Sequence, residues 1–267
     1  MRHHLRLRRT AIAMAGLVIA ATGGLAACGV EDGRPGPGNA ASSTPDSKPK
    51  DPFAGLSGAE IAAKAVKATS GARSLRMAGR VADRGVGLDA LDVTFDAAGR
   101  CAGTVGLTRA GSMQLIVSSD TVYRKYDEGL LRAAGKNEKE SAAYIETAVD
   151  LLAGRWSKTS TKSPEGKAYA RFCDLNDQLA SSRGIGSTAR KAGTTTVGGT
   201  PALKLIDTDG KDEVTLYVAT KGTPYLLKVD QVSGGKPEKA LTFSDYDKPV
   251  KAKPPTGEVL DLDQPTG

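Results

Sequence analysis

The strongest constraint on this chain is a repeated alternation of apolar and polar residues in short runs, broken by small-residue turns. Leu91, Val93 and Phe95 alternate with Asp92, Thr94 and Asp96, and Val105 and Leu107 alternate with Thr104 and Thr108. A period of two puts each apolar set on one face of a strand. Turns at Ala98-Gly99, Ala110-Gly111 and Ser119-Asp120 separate candidate strands at 74–82, 88–96, 101–109, 112–118 and 121–126. Connections this short join antiparallel neighbours, because a parallel pair needs a crossover of about a dozen residues or more. A second set follows at 194–197, 202–207, 213–219, 224–229 and 239–246, with turns at Gly198-Gly199, Asp209-Gly210, Lys221-Gly222 and Gly234-Gly235. Two meanders with separate helices predict an α+β class rather than β-α-β units.

Helices are expected before and between the meanders. In Leu56-Ser57-Gly58-Ala59-Glu60-Ile61, Ser57 caps, Glu60 completes a capping box and Leu56 staples to Ile61. That helix runs to about Thr69, with Ile61, Ala65 and Ala68 on one face, and Ser70-Gly71 ends it. In the middle, Asn137-Glu138-Lys139-Glu140 reads as a second capping box before the stripe Tyr144, Ile145, Ala148, Val149 and Leu152. Gly154 ends that helix and Trp156 follows. Ser163-Pro164-Glu165 reads as a cap with proline at the first helical position, and Ala168, Phe172, Leu175 and Leu179 repeat on one face. The tail from Pro249 reads as extended, with Val259 and Leu262 docking at an edge. The acidic pairs Asp127-Glu128 and Asp245 with Asp247 read as solvated turns.

The N-terminus carries an address. Arg2, Arg6, Arg8 and Arg9 precede an uncharged apolar run at 11–22, and small residues lead to Leu25-Ala26-Ala27-Cys28. A charged start, an apolar middle and a small-residue cleavage site predict a secretory signal peptide over 1–27. The run is shorter than the ~20 apolar residues that span a bilayer. Leu-Ala-Ala-Cys resembles the lipobox of bacterial lipoproteins, which implies cleavage before Cys28 and acylation of its sulfur by diacylglycerol and palmitate-type chains. Each buried methylene adds ~0.8 kcal/mol, so several chains anchor firmly. The alternative is an ordinary signal peptide with Cys28 incidental. Residues 28–52 are rich in Gly, Pro, Ser and Asp and read as a disordered tether about 25 Å in end-to-end reach. A single domain is expected over 53–267.

That address changes how composition is read. Removing four arginines and no acid takes the formal net charge from +7 to +3, so the basic balance is no argument for nucleic-acid binding. Both histidines, His3 and His4, lie in the leader. The mature chain therefore excludes Ser-His-Asp and Cys-His catalysis and any histidine-bearing metal site. Neither a cofactor nor a metal is expected. With Cys28 acylated, Cys101 and Cys173 remain as an even pair in an oxidising compartment, which predicts a disulfide. Two separate buried thiols are the alternative.

Several strands carry adjacent apolar residues: Leu115-Ile116-Val117, Leu216-Tyr217-Val218 and Leu226-Leu227. A half-solvated sheet would alternate more cleanly, so parts of it are covered on both faces. The cover is either helices packed on one face or a cavity that a greasy ligand fills.

The order helix, five strands, two helices with a Trp between, five strands resembles the LppX/LprAFG family of actinobacterial lipoproteins, whose fold resembles the lipoprotein carriers LolA and LolB. The features that carry it are the lipobox at Cys28, the Leu56-to-Glu60 helix start with Ala65 and Ala68, and Gly154-Arg155-Trp156. Gly198-Gly199-Thr200-Pro201-Ala202 and Thr223-Pro224-Tyr225-Leu226-Leu227-Lys228-Val229 add to it. The resemblance covers about 56–247. It implies a strongly curved antiparallel half-barrel sheet wrapped around a few helices, with an apolar cavity for acyl chains of lipids or glycolipids. It supplies no catalytic residue. From the alternation itself, the candidate lining residues are Val105, Leu107, Leu115 and Val117, with Ile145 and Val149 on the helix and Leu216 and Val218 opposite.

These readings predict a lipid-anchored protein on the outer face of the plasma membrane that binds or carries a lipid or glycolipid and is no enzyme. The alternative is a non-catalytic envelope interaction or sensor module with a fully packed core, partnering another envelope protein. A hydrolase is disfavoured, since the mature chain has no G-x-S-x-G elbow.

Overall fold

The computed structural model describes residues 51–83, 87–107, 109–180 and 184–264. The expected leader, Cys28 and all of the expected tether except residues 51 and 52 lie outside them. The first meander forms as β1 (Ser74–Asp83), β2 (Leu88–Asp96), β3 (Cys101–Leu107), β4 (Gly111–Val117) and β5 (Thr121–Tyr126). β6 (Trp156–Ser160) adds antiparallel to β5. The second meander is β7 (Arg190–Val197), β8 (Thr200–Asp209), β9 (Asp212–Ala219), β10 (Leu226–Ser233) and β11 (Lys236–Ser244), and β12 (Val259–Asp261) closes the tail.

All these strands belong to one sheet in the order β12-β6-β5-β4-β3-β2-β1-β11-β10-β9-β8-β7. The sheet is large, curved and unclosed. The join between the two meanders is the antiparallel pair β1–β11, with Met77 opposite Phe243 and Gly79 opposite Leu241. Gly79 has a φ of 140°, and a Cβ there would stand 2.0 Å from the Ala240 carbonyl oxygen. The seam therefore needs glycine for both backbone shape and close approach. A parallel pair, β12 on β6, lays Val259 beside Trp156 and covers what would be a free edge.

Among the described residues, five helices accompany the sheet. α1 (Gly58–Ser70) starts on Ser57, whose hydroxyl accepts the Glu60 N–H at 3.2 Å while the Glu60 carboxylate accepts the Ser57 N–H at 2.8 Å. Its buried residues include Ile61, Ala62, Ala65 and Thr69, while Ala68 is only half-buried. Thr69 accepts the Leu226 N–H at 3.0 Å and so ties the helix to β10. α2 (Glu128–Asn137) and α3 (Ala142–Leu152) form a pair, followed by α4 (Pro164–Phe172) and α5 (Leu175–Ala180).

Three readings of the middle region are corrected here. Asp127-Glu128 is no solvated turn: Asp127 accepts the Leu130 N–H at 2.8 Å and starts α2. The pattern at Asn137 is no cap either, because it falls in the last turn of α2. Ser141 caps α3 instead, accepting the Tyr144 N–H at 3.2 Å. The helix expected from Ser163 through Leu179 is broken in two at Cys173, and the Asp174 carboxylate accepts the Asn176 N–H at 2.8 Å where α5 begins. β6 was not expected at all. Asp247 also does more than face solvent: it accepts from the Arg73 N–H and the Tyr225 hydroxyl, each at 2.8 Å.

Alternation puts one set of side chains on the inner face, where they merge into a single core. Leu75 and Met77 of β1, Leu91, Val93 and Phe95 of β2, and Leu241 and Phe243 of β11 meet there with Ile61, Ala62 and Ala65 of α1. Cys101 of β3 and Cys173 at the end of α4 are joined by a disulfide, with Cα atoms 5.5 Å apart and a sequence separation of 72.

Two outcomes test this account. A Cys101→Ala/Cys173→Ala double variant lowers the unfolding free energy by ~4 kcal/mol in the chain-entropy account, measured by denaturant titration. Gly79→Val costs about 2 kcal/mol or more, since it combines backbone strain with a clash at the seam, and loss of amide protection in β1 and β11 by hydrogen exchange locates the damage.

Candidate functional site

The inner face continues past the core into the part of the sheet made by β3 to β6. Cys101, Gly103, Val105 and Leu107 share that face of β3. The register places Val105 opposite Met113, Gly103 opposite Leu115 and Cys101 opposite Val117 on β4. On β5 the same face carries Val122, Arg124 and Tyr126, opposite Val117, Leu115 and Met113. On β6 it carries Thr159 and Ser157, opposite Val122 and Arg124. The face thus grades from aliphatic to polar across four strands.

The eight candidate lining residues fall into two groups. Val105, Leu115, Val117, Leu216 and Val218 are buried on the inner face in one apolar cluster, and Leu107 lies half-buried at the end of β3. Ile145 and Val149 are buried but lie outside that cluster. They belong to α3, which rests on α2, and the side chain of Ile145 lies where a Cβ on Gly135 would be, at 2.6 Å. The structure therefore brings the strand residues together and places the two helix residues in a separate layer.

Cover over the inner face is uneven. α1 buries a full stripe against β9 and β10. By contrast α2 buries no residue, α3 buries Ile145 and Val149, and α4 buries only Gly166, with Tyr169 and Phe172 half-buried on the core, whereas the short α5 beyond it buries Leu175 and Leu179. α2 meets β4 and α4 meets β5. Segments with few buried apolar contacts open at lower free energy than a packed core does. Asp127 is the chief tie at the start of this cover. Besides capping α2, it accepts the Ser112 N–H at 2.5 Å and the Ser112 hydroxyl at 2.9 Å. Partial burial pushes its pKa up, but the hydrogen bonds from Leu130 and Ser112 outweigh that and hold it below the usual carboxylate value.

Beneath α4 lies a residue that the sequence reading passed over. Arg124 is 1% exposed, on the inner face between Leu115 and Ser157. Its Nη1 donates to Glu165, in the first turn of α4, while its Nε and Nη2 have no hydrogen-bond partner. The guanidinium carbon stands 5.0 Å from the centre of the Tyr169 ring and 5.7 Å from that of Tyr126, and the two phenol oxygens are 3.3 Å apart. Desolvation opposes its charge, but Tyr126, Glu165 and Tyr169 outweigh it and hold the guanidinium pKa above its ordinary value. Burial, then Tyr169, pushes the Tyr126 phenol well up, so it stays a neutral donor. The available signal was the alternation itself: in Val122-Tyr123-Arg124-Lys125-Tyr126, the arginine falls in phase with Val122.

Two pockets lie elsewhere. One, about 310 Å³, is formed by Ala59, Ala63, Val66 and Lys67 of α1 with Gly184 to Ser187. The other, about 360 Å³, is a polar recess between the β5–β6 end and the tail, edged by Lys158, Asp261 and Asp263. None of the eight candidate residues lines either one. Among the described residues no group of three or more His, Cys, Asp or Glu is placed to hold a metal, and no helix is long and apolar enough to cross a membrane.

Neither a protein-family model nor a curated protein matches the chain. Solved structures do. LprF from Mycobacterium bovis is 14% identical, with 75% of this chain and 97% of that one covered and a TM-score of 0.49. The Mycobacterium tuberculosis lipoprotein LppX is 17% identical, with 73% and 97% covered and a TM-score of 0.46. An uncharacterized conserved protein from Thermus thermophilus is 13% identical, with 76% and 97% covered and a TM-score of 0.31.

The tie at Asp127 has a measurable pH signature. Asp127→Ala costs ~1–2 kcal/mol at neutral pH, as loss of a helix cap does. The folded-state pKa of Asp127 is depressed, so this contribution is complete above the unfolded carboxylate range and fades as pH falls through the folded value. Urea titrations of both proteins at neutral and acid pH check it: the gap between them narrows on acidification.

Proposed function

We propose that this chain is an exported lipoprotein of the cell envelope whose domain binds the acyl part of a lipid or glycolipid on the inner face of its sheet. The leader at 1–27 directs export, acyl chains on Cys28 hold the protein on the outer face of the plasma membrane, residues 28–52 form the tether, and 53–267 the binding domain. The carrying observation is the uneven cover: of the helices that meet β4 and β5, α2 buries no residue and α4 only Gly166, while α1 buries a full stripe beside Leu216 and Val218. An acyl chain leaving a bilayer exposes methylenes at ~0.8 kcal/mol each, and a concave aliphatic wall offsets that loss once the cover shifts. No step in such binding requires a catalytic group or a cofactor.

A second reading is favoured by a different observation. Leu115, Val117, Leu216 and Val218 are all 1% exposed or less without any ligand. That suits a non-catalytic interaction or sensor module whose partner is another envelope protein.

Titration of a fluorescent fatty-acyl probe into the delipidated full chain carrying Cys28→Ala separates the two. The carrier reading expects saturable binding of one probe per chain, a lipid in organic extracts of the undelipidated protein, and about tenfold weaker binding in Leu107→Trp, or ~1.4 kcal/mol. Absence of both probe binding and extracted lipid leaves the packed module. The anchor is tested separately: labelled palmitate is incorporated into the chain in cells and lost in Cys28→Ala.

A further inference from the structure

A buried guanidinium with two idle nitrogens is an unusual thing for a fold to keep. The arginine side chain is always charged and donates only. Leaving buried donors unpaired forfeits their hydration with nothing in return, and the loss is larger when the group is charged. A Met or Leu at this position, across from Leu115, would satisfy the inner face as well as its neighbours do. Nothing in the sheet's pairing needs arginine here, because the Arg124 backbone pairs with Leu115 and Ser157 whatever the side chain.

Which nitrogens are idle is the informative point. Nη1 is taken by Glu165, whose carboxylate is more than half exposed. Nε and Nη2 are the two free ones. Their N–H bonds lie side by side along one edge of the planar group, at the spacing of two oxygens of a carboxylate or phosphate. The rings of Tyr126 and Tyr169, 5.7 and 5.0 Å from the guanidinium carbon, bring two hydroxyls, 3.3 Å apart, into the same enclosure. On the same face, Leu115 and then Gly103 and Val105 lead away from Arg124 along the aliphatic part of the sheet.

We propose that the Nε/Nη2 edge of Arg124, with the Tyr126 and Tyr169 hydroxyls, binds the anionic headgroup of an acyl lipid, a carboxylate or a phosphate, whose chain lies over Leu115 and Val105. This rests on the acyl-binding reading and narrows it from lipids in general to anionic ones. Glu165 of α4 holds one side of the guanidinium in the absence of ligand. The edge is shielded in this structure, so the headgroup reaches it when the N-terminal turns of α4, which bury only Gly166, swing away from an end held by the disulfide at Cys173 and by Phe172 against Phe95.

The test compares four probes on the full chain with Cys28→Ala: oleate, oleoyl lysophosphatidate, oleyl alcohol and inorganic phosphate. The expected result is that oleate and lysophosphatidate bind at least about tenfold more tightly than oleyl alcohol. Arg124→Met abolishes that preference while oleyl alcohol binds as before, and Arg124→Lys restores only part of it, because an ammonium lacks the two-pronged edge. Equal affinity for all three oleyl probes, or a preference that survives in Arg124→Met, overturns the headgroup site while acyl binding stands. Inorganic phosphate binding as tightly as lysophosphatidate overturns the lipid source. Failure of every oleyl probe removes the acyl-binding reading itself. Unliganded stability separates a structural role: Arg124→Met melts at the same temperature or higher, as expected when an incompletely paired buried charge gives way to an apolar side chain. A fall of more than about 5 °C assigns Arg124 to the scaffold and overturns the proposal.

Discussion

The pairing of β1 with β11 is what makes this one sheet. The strands lie more than 150 residues apart in sequence, and each belongs to a meander that is otherwise local. Without the seam there would be two smaller sheets, each with an exposed long edge and its own half of an inner face. With it, Met77 sits opposite Phe243 and the apolar faces of both meanders become continuous. The seam is tight enough that Gly79 approaches the Ala240 carbonyl where no side chain would fit. The remaining edges are managed separately. β12 lies on β6, and at the other end β7 is exposed along nearly its whole length, with Arg190 and Lys191 at its start and a register shift before Thr194.

A continuous inner face this long needs cover, and it receives two kinds. α1 is anchored by its capping box, by the buried stripe of Ile61, Ala62 and Ala65, and by Thr69 bonding to β10. The helices that meet β4 and β5 are held largely by polar ties, Asp127 to Ser112 and Arg124 to Glu165, while the disulfide and Phe172 fix the far end of α4. Polar ties fix position without burying much apolar area, so they can be exchanged for others at modest cost. This difference between the halves of one face is the physical root of the functional reading. It also places the buried charge under the lightly held half rather than in the packed core.

Much of the fold was legible from local pattern. The strand at Leu88–Asp96 is visible because Leu91, Val93 and Phe95 alternate with polar partners, and the start of α1 because Ser57 and Glu60 stand three apart. β6 was not legible, since Trp156–Ser160 has no apolar alternation and its inner-face residues are Ser157 and Thr159. α2 was hidden by Gly129 and Gly135, which argue against a helix; yet Gly135 is what lets α3 lie close, with Ile145 filling the space of a side chain. The break at Cys173 was hidden because Phe172 and Leu175 keep a helical spacing across it.

The sequence alone determined the strand rhythm, the caps that bound α1, and the shared inner phase of Val105, Leu115 and Val117, because these depend on neighbours a few residues away. It also determined that no histidine lies beyond His4. Only the tertiary structure decided that the two meanders share a seam, that α3 rests on α2 rather than on the sheet, and that Arg124 is enclosed with two donors unpaired. Those outcomes turn on contacts between residues far apart in the chain, whose register and burial no local period encodes.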